Sequence, residues 1–565
     1  MMIKLRQKDE IDLLDMEDYR LPQNNGKKFS MPKIHHVIWR EKGKVNFDIF
    51  DQEMLFNDEK TNELIRSGNT IGCFYIESPG MRSLLKRLDC HTFEMLVAAS
   101  SIIRPGVAES GMMREFIERH KDPTKRKYLT PEIEELLGET YGVMIYQEDV
   151  IKVVNEIGGL TLVEADLLRR AISGKMRSHK SMKTLIDKFF ISCRKKGYSE
   201  KTISKLWNQI ESFAGYAFNK AHSASFAIVS YQVAYLKTYF PDKLMASVLN
   251  NQGGYYSAAV YIQESKRMGL KILLPDINKS KYEYEGKNET IQIGFLAIKT
   301  FTRDLSRKII KERELNGQYV SLIDFLIRVK PNIKEAELLI KCGAMDSLNF
   351  TRPTLMRLLD IYLLQRKIFD ENNQDLFAFE SYKLEMEVKT DFQYPISQIC
   401  KIEYETFGYM VTKHPLEFFP KTINRKDIIK ASELAKYNGK QIKIVGWFMA
   451  SKRIKTKKGE IMKFLSLEDL TGTFEAVLFP SVYYRFAEKT LSMGPFLLEG
   501  KVDIENGFNI IVDNLSLLSG KELSATTQKD SSENKYYGDV EKVSEEEFHV
   551  VASLGKANLE LAYAS

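Results

Sequence analysis

The sequence predicts a multidomain protein that is mainly α-helical and ends in a small all-β barrel. Its 565 residues exceed the length of one typical domain, so three or four domains are expected. From about 71 to 250, hydrophobic residues recur every three or four positions, which is the spacing of amphipathic helices. Between 440 and 518 the pattern changes to short alternating stretches separated by glycine, which is typical of β-strands.

The composition is that of a soluble globular protein from a reducing environment. Hydrophobic residues make up 44% of the chain and charged residues 28%. The chain has no apolar run of transmembrane length and begins with charged residues, so we expect a cytoplasmic protein without a membrane partner. The five cysteines are scattered, which argues against a disulfide framework or a zinc site. The net charge of +7 suits a polyanionic partner without indicating one.

The regions outside these two patterns are less regular. Residues 1–70 are polar and show no sustained periodicity. Strand-like "ILLP" and "TIQIGFLAI" precede a second group of helices from about 302 to 370. The polar stretch "FDENNQDLFAFESYK" is typical of an exposed connection, and the Ser/Lys/Glu-rich residues after 519 predict a disordered tail.

The segment "TLVEADLLRRAISGK" (161–175) predicts a capped helix with cations at its end. Thr161 is placed to cap the helix and Glu164 to reach back to it, the pattern of a capping box. Three cations follow near the predicted end of the helix: Arg169, Arg170 and Lys175. Two interpretations remain open, a surface helix whose cations suit its dipole and a group of cations that bind phosphate.

Two other segments place cations near turns or helix ends. In "FNKAHSAS" (218–225), Ser223 is predicted to cap a helix. A helix N-terminus beside Lys220 also attracts phosphate, to which His222 can donate, but a structural role is the alternative. Arg104 precedes a Pro-Gly turn in "SSIIRPGVAESGM", where a plain loop is the simpler interpretation.

Residues 440–518 predict a five-stranded OB-type barrel, with "SKRIKTKKGE" (451–460) connecting its first two strands. The connection and its surroundings combine basic and aromatic side chains: Lys452, Arg453, Lys455, Lys457, Lys458, Trp447, Phe448 and Phe464. Such a combination binds single-stranded nucleic acid through backbone charge and base stacking. A solvated turn on a basic protein is the alternative.

The segment "FLAIKTFTRDLSRKIIKERE" (295–314) has the outline of a helix–hairpin–helix. DNA-binding hairpins of this kind offer glycine backbone N–H groups to phosphate. Thr300 and Thr302 occupy those places here, so a scaffold role is favoured.

The ordered motifs together resemble the fingers region of the bacterial DNA polymerase III alpha subunit, a C-family polymerase. They are "IGCFYIESPGMRSLLKRL", "RPGVAESGM", "ETYGVMIYQEDVIKV", "GLTLVEADLLRRAISGK" and "FAGYAFNKAHSASFAIVSYQVAYLK". Downstream, "EYETFGYMVTKHPLEFF" resembles the segment before the OB domain of that family, so the resemblance covers about 60–518. The sequences "SGK" and "IIRPGVAESGM" are most similar to those of an accessory or error-prone branch of the alpha subunits.

The resemblance implies a division into the regions of that family. These are a palm remnant and connection (1–70), fingers (71–290), a helix–hairpin–helix region (291–370), a linker with a clamp-binding-like peptide (371–439), an OB domain (440–518) and a tail (519–565). In the linker, "NQDLF" resembles the sliding-clamp peptide Q-x-x-L/M-F, with Asp375, Leu376 and Phe377 at its end and Asn373 at the glutamine position. An ordinary linker is the alternative.

The resemblance also implies which residues contact nucleotide and DNA. The positions carried over as triphosphate or primer–template contacts are Arg104, Arg169, Arg170, Lys175, Lys220 and His222. Phosphoryl transfer needs positive charge on the triphosphate, which cations and a helix start supply. The implied partners are deoxynucleoside triphosphates, primer–template DNA, single-stranded template and the sliding clamp.

The catalytic carboxylates of the family are the main departure. The family holds two Mg²⁺ ions with palm carboxylates and uses no organic cofactor. Two of these carboxylates come from an Asp-x-Asp motif, which is missing from the 565 residues. Asp12 in "IDLLD" lies at about the distance of the third aspartate. We therefore expect the chain alone not to polymerise DNA. Either a separate chain supplies the palm, or the sequence is a fragment of a broken or partly predicted gene.

Two alternatives stay open beside this interpretation. A non-catalytic DNA- and sliding-clamp-binding accessory protein would keep the binding modules without a palm. A generic OB-fold single-strand binder is weaker, since it does not explain the ordered fingers motifs.

Overall fold

A computed structural model describes residues 11–14, 36–41, 44–103, 111–172, 179–214, 219–365, 388–456, 458–505 and 507–518. Within it the chain divides after Tyr239 into two compact units. The expected boundary at 290 between fingers and helix–hairpin–helix therefore lies inside the second unit. In these ranges no helix is long and apolar enough to cross a membrane. The tail from 519 onward lies outside them.

The first unit contains a three-stranded antiparallel sheet with β2 in the centre, followed by helices. The strands are β1 (Ile11–Leu14), β2 (His36–Glu41) and β3 (Lys44–Asp48). The helices are α1 (Gln52–Asn57), α2 (Glu59–Arg66), α3 (Pro79–Arg87), α4 (Phe93–Ile102), α5 (Met112–Lys121), α6 (Pro131–Leu137), α7 (Gln147–Glu156), α8 (Leu162–Ile172), α9 (His179–Lys195), α10 (Glu200–Ala214) and α11 (Lys220–Tyr239). Short 3₁₀ turns span Pro123–Lys125 and Gly138–Thr140.

Helices α1 and α2 lie in the region whose sequence shows no sustained periodicity. Asp51 caps α1 by accepting the Met54 N–H at 3.0 Å, and Asp58 caps α2 by accepting the Thr61 N–H at 2.8 Å. These helices have only 6 and 8 residues, so each is too short for a periodic pattern to develop. Their N-caps, rather than an apolar stripe, are the local signal for them.

The core of the first unit is formed around α4, whose residues from Leu96 to Ile102 are all buried. Helix α11 packs against α4, and in this contact the hydroxyl oxygens of Ser101 and Ser223 lie 2.8 Å apart. Near the other end of α11, the buried Lys237 ammonium donates to the carbonyl of Ile71 at 2.8 Å. Helix α11 is therefore held at both ends, which fixes the position of its first turn.

The second unit begins with helices and a three-stranded sheet in which β6 lies between β4, parallel to it, and β5, antiparallel to it. The strands are β4 (Lys271–Leu273), β5 (Glu285–Lys287) and β6 (Thr290–Gln292), so each of the two strand-like segments of the sequence is a strand over only part of its length. The helices are α12 (Pro241–Asn251), α13 (Ala258–Arg267), α14 (Arg303–Asn316), α15 (Leu322–Val329), α16 (Ile333–Lys341), α17 (Arg352–Gln365), α18 (Ile396–Phe407) and α19 (Pro420–Ile423). The 3₁₀ turns are Phe295–Ala297, Asp346–Leu348, Pro415–Phe418 and Ala431–Tyr437.

The predicted helix–hairpin–helix turn lies directly before α14. Thr300 has a φ of +65°, a backbone conformation that favours glycine and is rare for a β-branched residue. Thr302 caps α14 by accepting the Leu305 N–H at 3.2 Å. The hairpin therefore keeps the left-handed conformation of a glycine turn although it has threonine there.

The last five strands close into a barrel in the order β10-β11-β9-β8-β7. They are β7 (Gln441–Lys455), β8 (Ile461–Glu468), β9 (Thr473–Leu478), β10 (Phe496–Asp503) and β11 (Asn509–Leu517), with α20 (Pro480–Phe486) and a 3₁₀ turn (Lys489–Leu491) between β9 and β10. Among these five strands, only β9 and β11 pair in parallel. Residues such as Ile444, Leu465 and Leu498 fill the interior of the barrel. This arrangement confirms the predicted OB-type barrel.

Strand β7 changes its partner halfway along its length. Up to Gly446 it pairs with β10, and from Trp447 onward it pairs with β8. A Cβ atom at Gly446 would lie 2.7 Å from the ring of Phe474, so the strand changes partner where a side chain would clash. Strand pairing continues to Lys455, so the expectation that 451–460 is a connecting loop is wrong for 451–455. We call the paired residues 452–455 and 461–464, with their turn, the basic ribbon.

Candidate nucleotide and DNA interface

The start of α8 is fixed by the capping box that the sequence predicts. The Thr161 N–H donates to Glu164 Oε2 at 2.9 Å, and the Glu164 N–H donates to Thr161 Oγ1 at 3.3 Å. Lys188 of α9 donates to Glu164 Oε1 at 2.6 Å, and this hydrogen bond lowers the pKa of Glu164 to about 2. The start of the helix is thus tied to α9, which leaves its cations at the opposite end.

Arg169 and Arg170, in the last turn of α8, both contact Asp166. Arg169 Nη2 lies 2.7 Å from Asp166 Oδ1, and Arg170 Nε lies 2.7 Å from Asp166 Oδ2. Partial burial opposes ionisation of Asp166, but the hydrogen bonds and charges of the two arginines outweigh it and lower the pKa of this carboxyl. Arg169 is buried and Arg170 is exposed, so Arg170 presents more of its guanidinium to solvent.

The N-cap of α11 is Asn219 and not Ser223. Asn219 Oδ1 accepts the His222 N–H at 2.9 Å, and the Asn219 carbonyl accepts the Ser223 N–H at 3.1 Å. Ser223 is therefore inside the helix, and its buried hydroxyl contacts Ser101. The predicted cap is wrong because the first turn of the helix is polar. The apolar periodicity starts only after this turn, so it does not indicate where the helix begins.

Lys220, the first residue of α11, contacts two carboxylates. Its Nζ lies 2.7 Å from both Oε1 and Oε2 of Glu139. Its backbone N–H donates to Glu148 Oε2 at 3.0 Å, while Asn219 Nδ2 donates to Glu148 Oε1 at 2.6 Å. The helix start that was predicted to attract phosphate therefore already faces anionic groups of the protein itself.

Glu139 and Glu148 are site residues that sequence reasoning missed. They lie 81 and 72 residues before Lys220 in the chain, so no local spacing indicates their contact with it. Both belong to the motif "ETYGVMIYQEDVIKV", which begins at Glu139. The acidic residues of that motif were the available signal.

His222 is exposed beside an aromatic group of the same unit. Its ring centroid lies 4.2 Å from that of Phe226, which in turn lies 5.0 Å from the Tyr75 ring in an edge-on arrangement. Lys220 and His222 therefore share the first turn of α11 with an aromatic surface. A cation beside a π-surface suits a nucleotide, which carries both charge and a flat base.

Several predicted site residues cannot be placed. Arg104, Lys175, Lys457 and the clamp-like peptide at 373–377 lie outside the described residues. Asp12 lies on β1 opposite Ile38 of β2, and its backbone alone is described. Among the described residues, no group of three His, Cys, Asp or Glu side chains is arranged to hold a metal ion.

The basic ribbon has two different faces because alternate residues of a strand point to opposite sides. On one face Lys452 is paired with Phe464, and Ile454 with Met462. On the other face are Arg453 and Lys455, both exposed. Lys458 is exposed in the turn. The ribbon thus has exposed cations on both faces, and on one of them Lys452 lies beside aromatic and apolar side chains.

Trp447 does not belong to this exposed surface. Only 6% of its surface is accessible, and it packs with Cys400, Leu416 and Phe418 of the segment before the barrel. The predicted stacking role of Trp447 is corrected to a packing role, because its ring attaches that segment to the barrel. Phe464 is half-buried and stays available as a stacking residue.

Lys463 of the ribbon is buried and does not contribute to the exposed charge. Its Nζ donates to the carbonyl and hydroxyl oxygens of Thr490 at 2.8 and 3.1 Å. Burial, together with the nearby charge of Arg453, lowers the pKa of Lys463 to about 8. The exposed cations of the ribbon are therefore those of β7 and the turn.

Comparison with known proteins matches both helical regions to protein-family models. The model of the bacterial DNA polymerase III alpha subunit finger domain matches residues 31–197, and a helix–hairpin–helix motif model matches residues 269–355. The fingers match begins earlier than the expected boundary at 71 and includes part of the region predicted as a palm remnant.

Curated relatives extend this similarity over most of the chain. A DNA polymerase III subunit alpha from Staphylococcus epidermidis is 32% identical over 478 residues, which cover 84% of this chain and 44% of the relative. One from Staphylococcus aureus is 32% identical over 479 residues, which cover 83% of this chain and 44% of the relative. The chain thus spans less than half the length of these relatives. The resemblance seen in the sequence is confirmed, and the chain is related to the carboxy-terminal half of bacterial DNA polymerase III alpha subunits.

Proposed function

We propose that the chain is part of a DNA polymerase of the DNA polymerase III alpha type and that its fingers bind the incoming deoxynucleoside triphosphate and the primer–template. The observation that supports this most is that Arg169, Arg170 and Lys220 all lie at helix ends in one compact unit. Guanidinium and ammonium groups in such places bind phosphate by charge and by directed hydrogen bonds. Arg104, Lys175 and His222 belong to the same proposed set.

The proposed division of work leaves the chemistry to palm carboxylates and not to the fingers. Mg²⁺ bound by a complete palm would stabilise the attacking and leaving oxygens during nucleotidyl transfer. The fingers would hold the triphosphate and orient it against the template, which lowers the entropic part of the barrier. Asp12, which lies on strand β1, remains a proposed catalytic carboxylate.

We also propose that the basic ribbon binds single-stranded template. Its exposed Lys452, Arg453, Lys455 and Lys458 would follow the phosphate backbone. Phe464, which is paired with Lys452, would stack on a base. The segment that resembles a clamp peptide is the proposed contact with a sliding clamp.

A primer-extension assay tests the polymerase part of this proposal. The chain is incubated with primed DNA, Mg²⁺ and the four deoxynucleoside triphosphates, alone and together with a palm-containing chain. We expect extension only in the combined reaction, and extension lowered by Arg170→Gln and Lys220→Met. Robust extension by the chain alone would refute the need for a separate palm.

A second candidate function is a non-catalytic accessory protein that binds DNA and a sliding clamp. It is favoured by the closed OB-type barrel, a module that binds single strands without catalysis. The two candidates differ in what the combined reaction produces. Tight DNA binding without any extension beside a palm-containing chain would support the accessory protein.

A further inference from the structure

We infer that Glu139 is a positioning residue of the triphosphate site. Its carboxylate holds the Lys220 ammonium in the position in which a phosphate would bind it, and releases the ammonium when a nucleotide binds. The inference rests on the proposed function, because it concerns the same helix start. It gives a role to Glu139, to which the proposed function assigns none. Nucleotide binding becomes an exchange in which a phosphate replaces the Glu139 carboxylate at Lys220.

Glu139 contacts the Lys220 ammonium through both of its carboxylate oxygens. Both carboxylate oxygens lie 2.7 Å from Nζ, so the ammonium is shared between two acceptors. The same ammonium lies 5.1 Å from the centre of the Tyr146 ring, which is buried. Glu139 and the Tyr146 ring therefore give the Lys220 side chain a defined direction.

The turn that carries Glu139 is itself held in place. Gly138–Thr140 is a 3₁₀ turn, and it is followed by Tyr141 in the left-handed conformation with a φ of 58°. Arg119, which is buried, donates from Nη1 to the Tyr141 carbonyl at 2.6 Å. Glu139 is thus presented to Lys220 by a fixed turn and not by a long loop.

Exposure makes this ion pair exchangeable. The Lys220 side chain is 40% exposed and the Glu139 side chain 56% exposed, so water and a dissolved anion can reach both. Exposed pairs of this kind contribute little to stability, and a polyvalent phosphate competes well with one carboxylate. Separating the pair therefore costs the fold little.

Glu148 has a different role at the same helix start. It accepts hydrogen bonds from the Lys220 backbone and from the Asn219 amide, so it belongs to the end of the helix rather than to the lysine side chain. It is also less exposed than Glu139. We therefore assign the exchange to Glu139 and the anchoring of the first turn to Glu148.

Binding of inorganic tripolyphosphate and of a deoxynucleoside triphosphate to the full chain tests the inference. Glu139→Gln keeps the size of the side chain and removes the competing charge, so we expect about two- to fivefold tighter binding of both probes. Glu135→Gln is the matched control, since it removes the same charge from an exposed position one turn earlier on α6. Thermal unfolding should be nearly the same for both variants.

The dependence on Lys220 separates the possible outcomes. In a Lys220→Met background, Glu139→Gln should give no gain, because the group for which the anions compete is gone. If Glu139→Gln binds the probes no more tightly than Glu135→Gln, while Lys220→Met weakens binding, the inference is overturned and the proposed function stands. If Lys220→Met binds the probes as well as the unmodified chain does, both the inference and the proposed function are wrong for Lys220.

Discussion

Ser101 of α4 and Ser223 of α11 share a hydrogen bond of 2.8 Å in the core of the first unit, and both side chains are fully buried. The Ser101 hydroxyl also lies 3.2 Å from the Val97 carbonyl, which it donates to. The hydroxyl of Ser223 is therefore one end of a short chain of buried hydrogen bonds that connects the two helices.

This contact predicts that substitutions at Ser223 and at the N-cap Asn219 destabilise the protein to different extents. Ser223→Asp would bury a charge beside Ser101, so we expect it to lower the free energy of unfolding by roughly 3–5 kcal/mol. Asn219→Ala, which removes the actual N-cap, should cost about 1 kcal/mol. Urea unfolding of the full chain, followed by circular dichroism, measures both. A Ser223→Asp variant as stable as the unmodified chain would restore Ser223 as the cap.

Two aromatic residues of the barrel should separate stability from DNA binding. Trp447→Ala removes a buried ring from its contacts with Cys400 and Phe418, so we expect a loss of about 3–5 kcal/mol in stability. Phe464→Ala should mainly weaken binding of an oligothymidylate, by about 1–3 kcal/mol. Fluorescence anisotropy and thermal unfolding measure the two effects. Unchanged oligothymidylate affinity in the Phe464 variant would remove this ring from the interface.

The lysines between 455 and 458 should determine how single-strand binding depends on salt. Replacing Lys455, Lys457 and Lys458 by glutamine should weaken binding and flatten the slope of log affinity against log salt by about 0.7 per lost phosphate contact. Lys436→Gln is the control, because Lys436 is exposed on a 3₁₀ turn elsewhere in the same unit. An unchanged slope in the triple variant would show that the ribbon does not contact the strand.

Lys463 should make the barrel more stable as the pH rises from about 8 to 10.5. Its pKa is lowered to about 8 in the folded protein from an ordinary value of 10.5, so between these values the unfolded chain binds more protons and unfolding becomes less favourable with rising pH. The gain is on the order of 1–3 kcal/mol. Lys463→Met should remove it, and comparison with this variant cancels the tyrosines that titrate in the same range. Parallel profiles of stability against pH for the two proteins would contradict a lowered pKa of Lys463 in the folded protein.

The sequence predicts features that depend on residues close together in the chain. The capping box of Thr161 and Glu164 needs only four consecutive residues, and the structure has both of its hydrogen bonds. The alternating strands of the barrel are equally local, because each strand shows its inner face in its own pattern. The helical fingers and the OB-type barrel could for this reason be predicted.

The features that were missed depend on partners far away in the chain. The local pattern predicts a cap at Ser223, since its buried partner Ser101 lies 122 residues away. It predicts an exposed ring at Trp447, because the residues that cover this ring belong to a different segment, around 400–418. It does not indicate Glu139, because the role of this charge depends on its contact with Lys220. Long-range contacts of this kind leave no periodic signal in a single sequence.

The change of partner along β7 has a consequence for how the barrel opens. One half of this strand is hydrogen-bonded to β10 and the other half to β8, so β7 closes the ring of strands from both sides. Neither β8 nor β10 can separate from the barrel without disturbing β7, which passes from one partner to the other at Gly446. The amide hydrogens of the barrel strands should therefore exchange with solvent as one cooperative unit, while those near the tip of the ribbon exchange earlier.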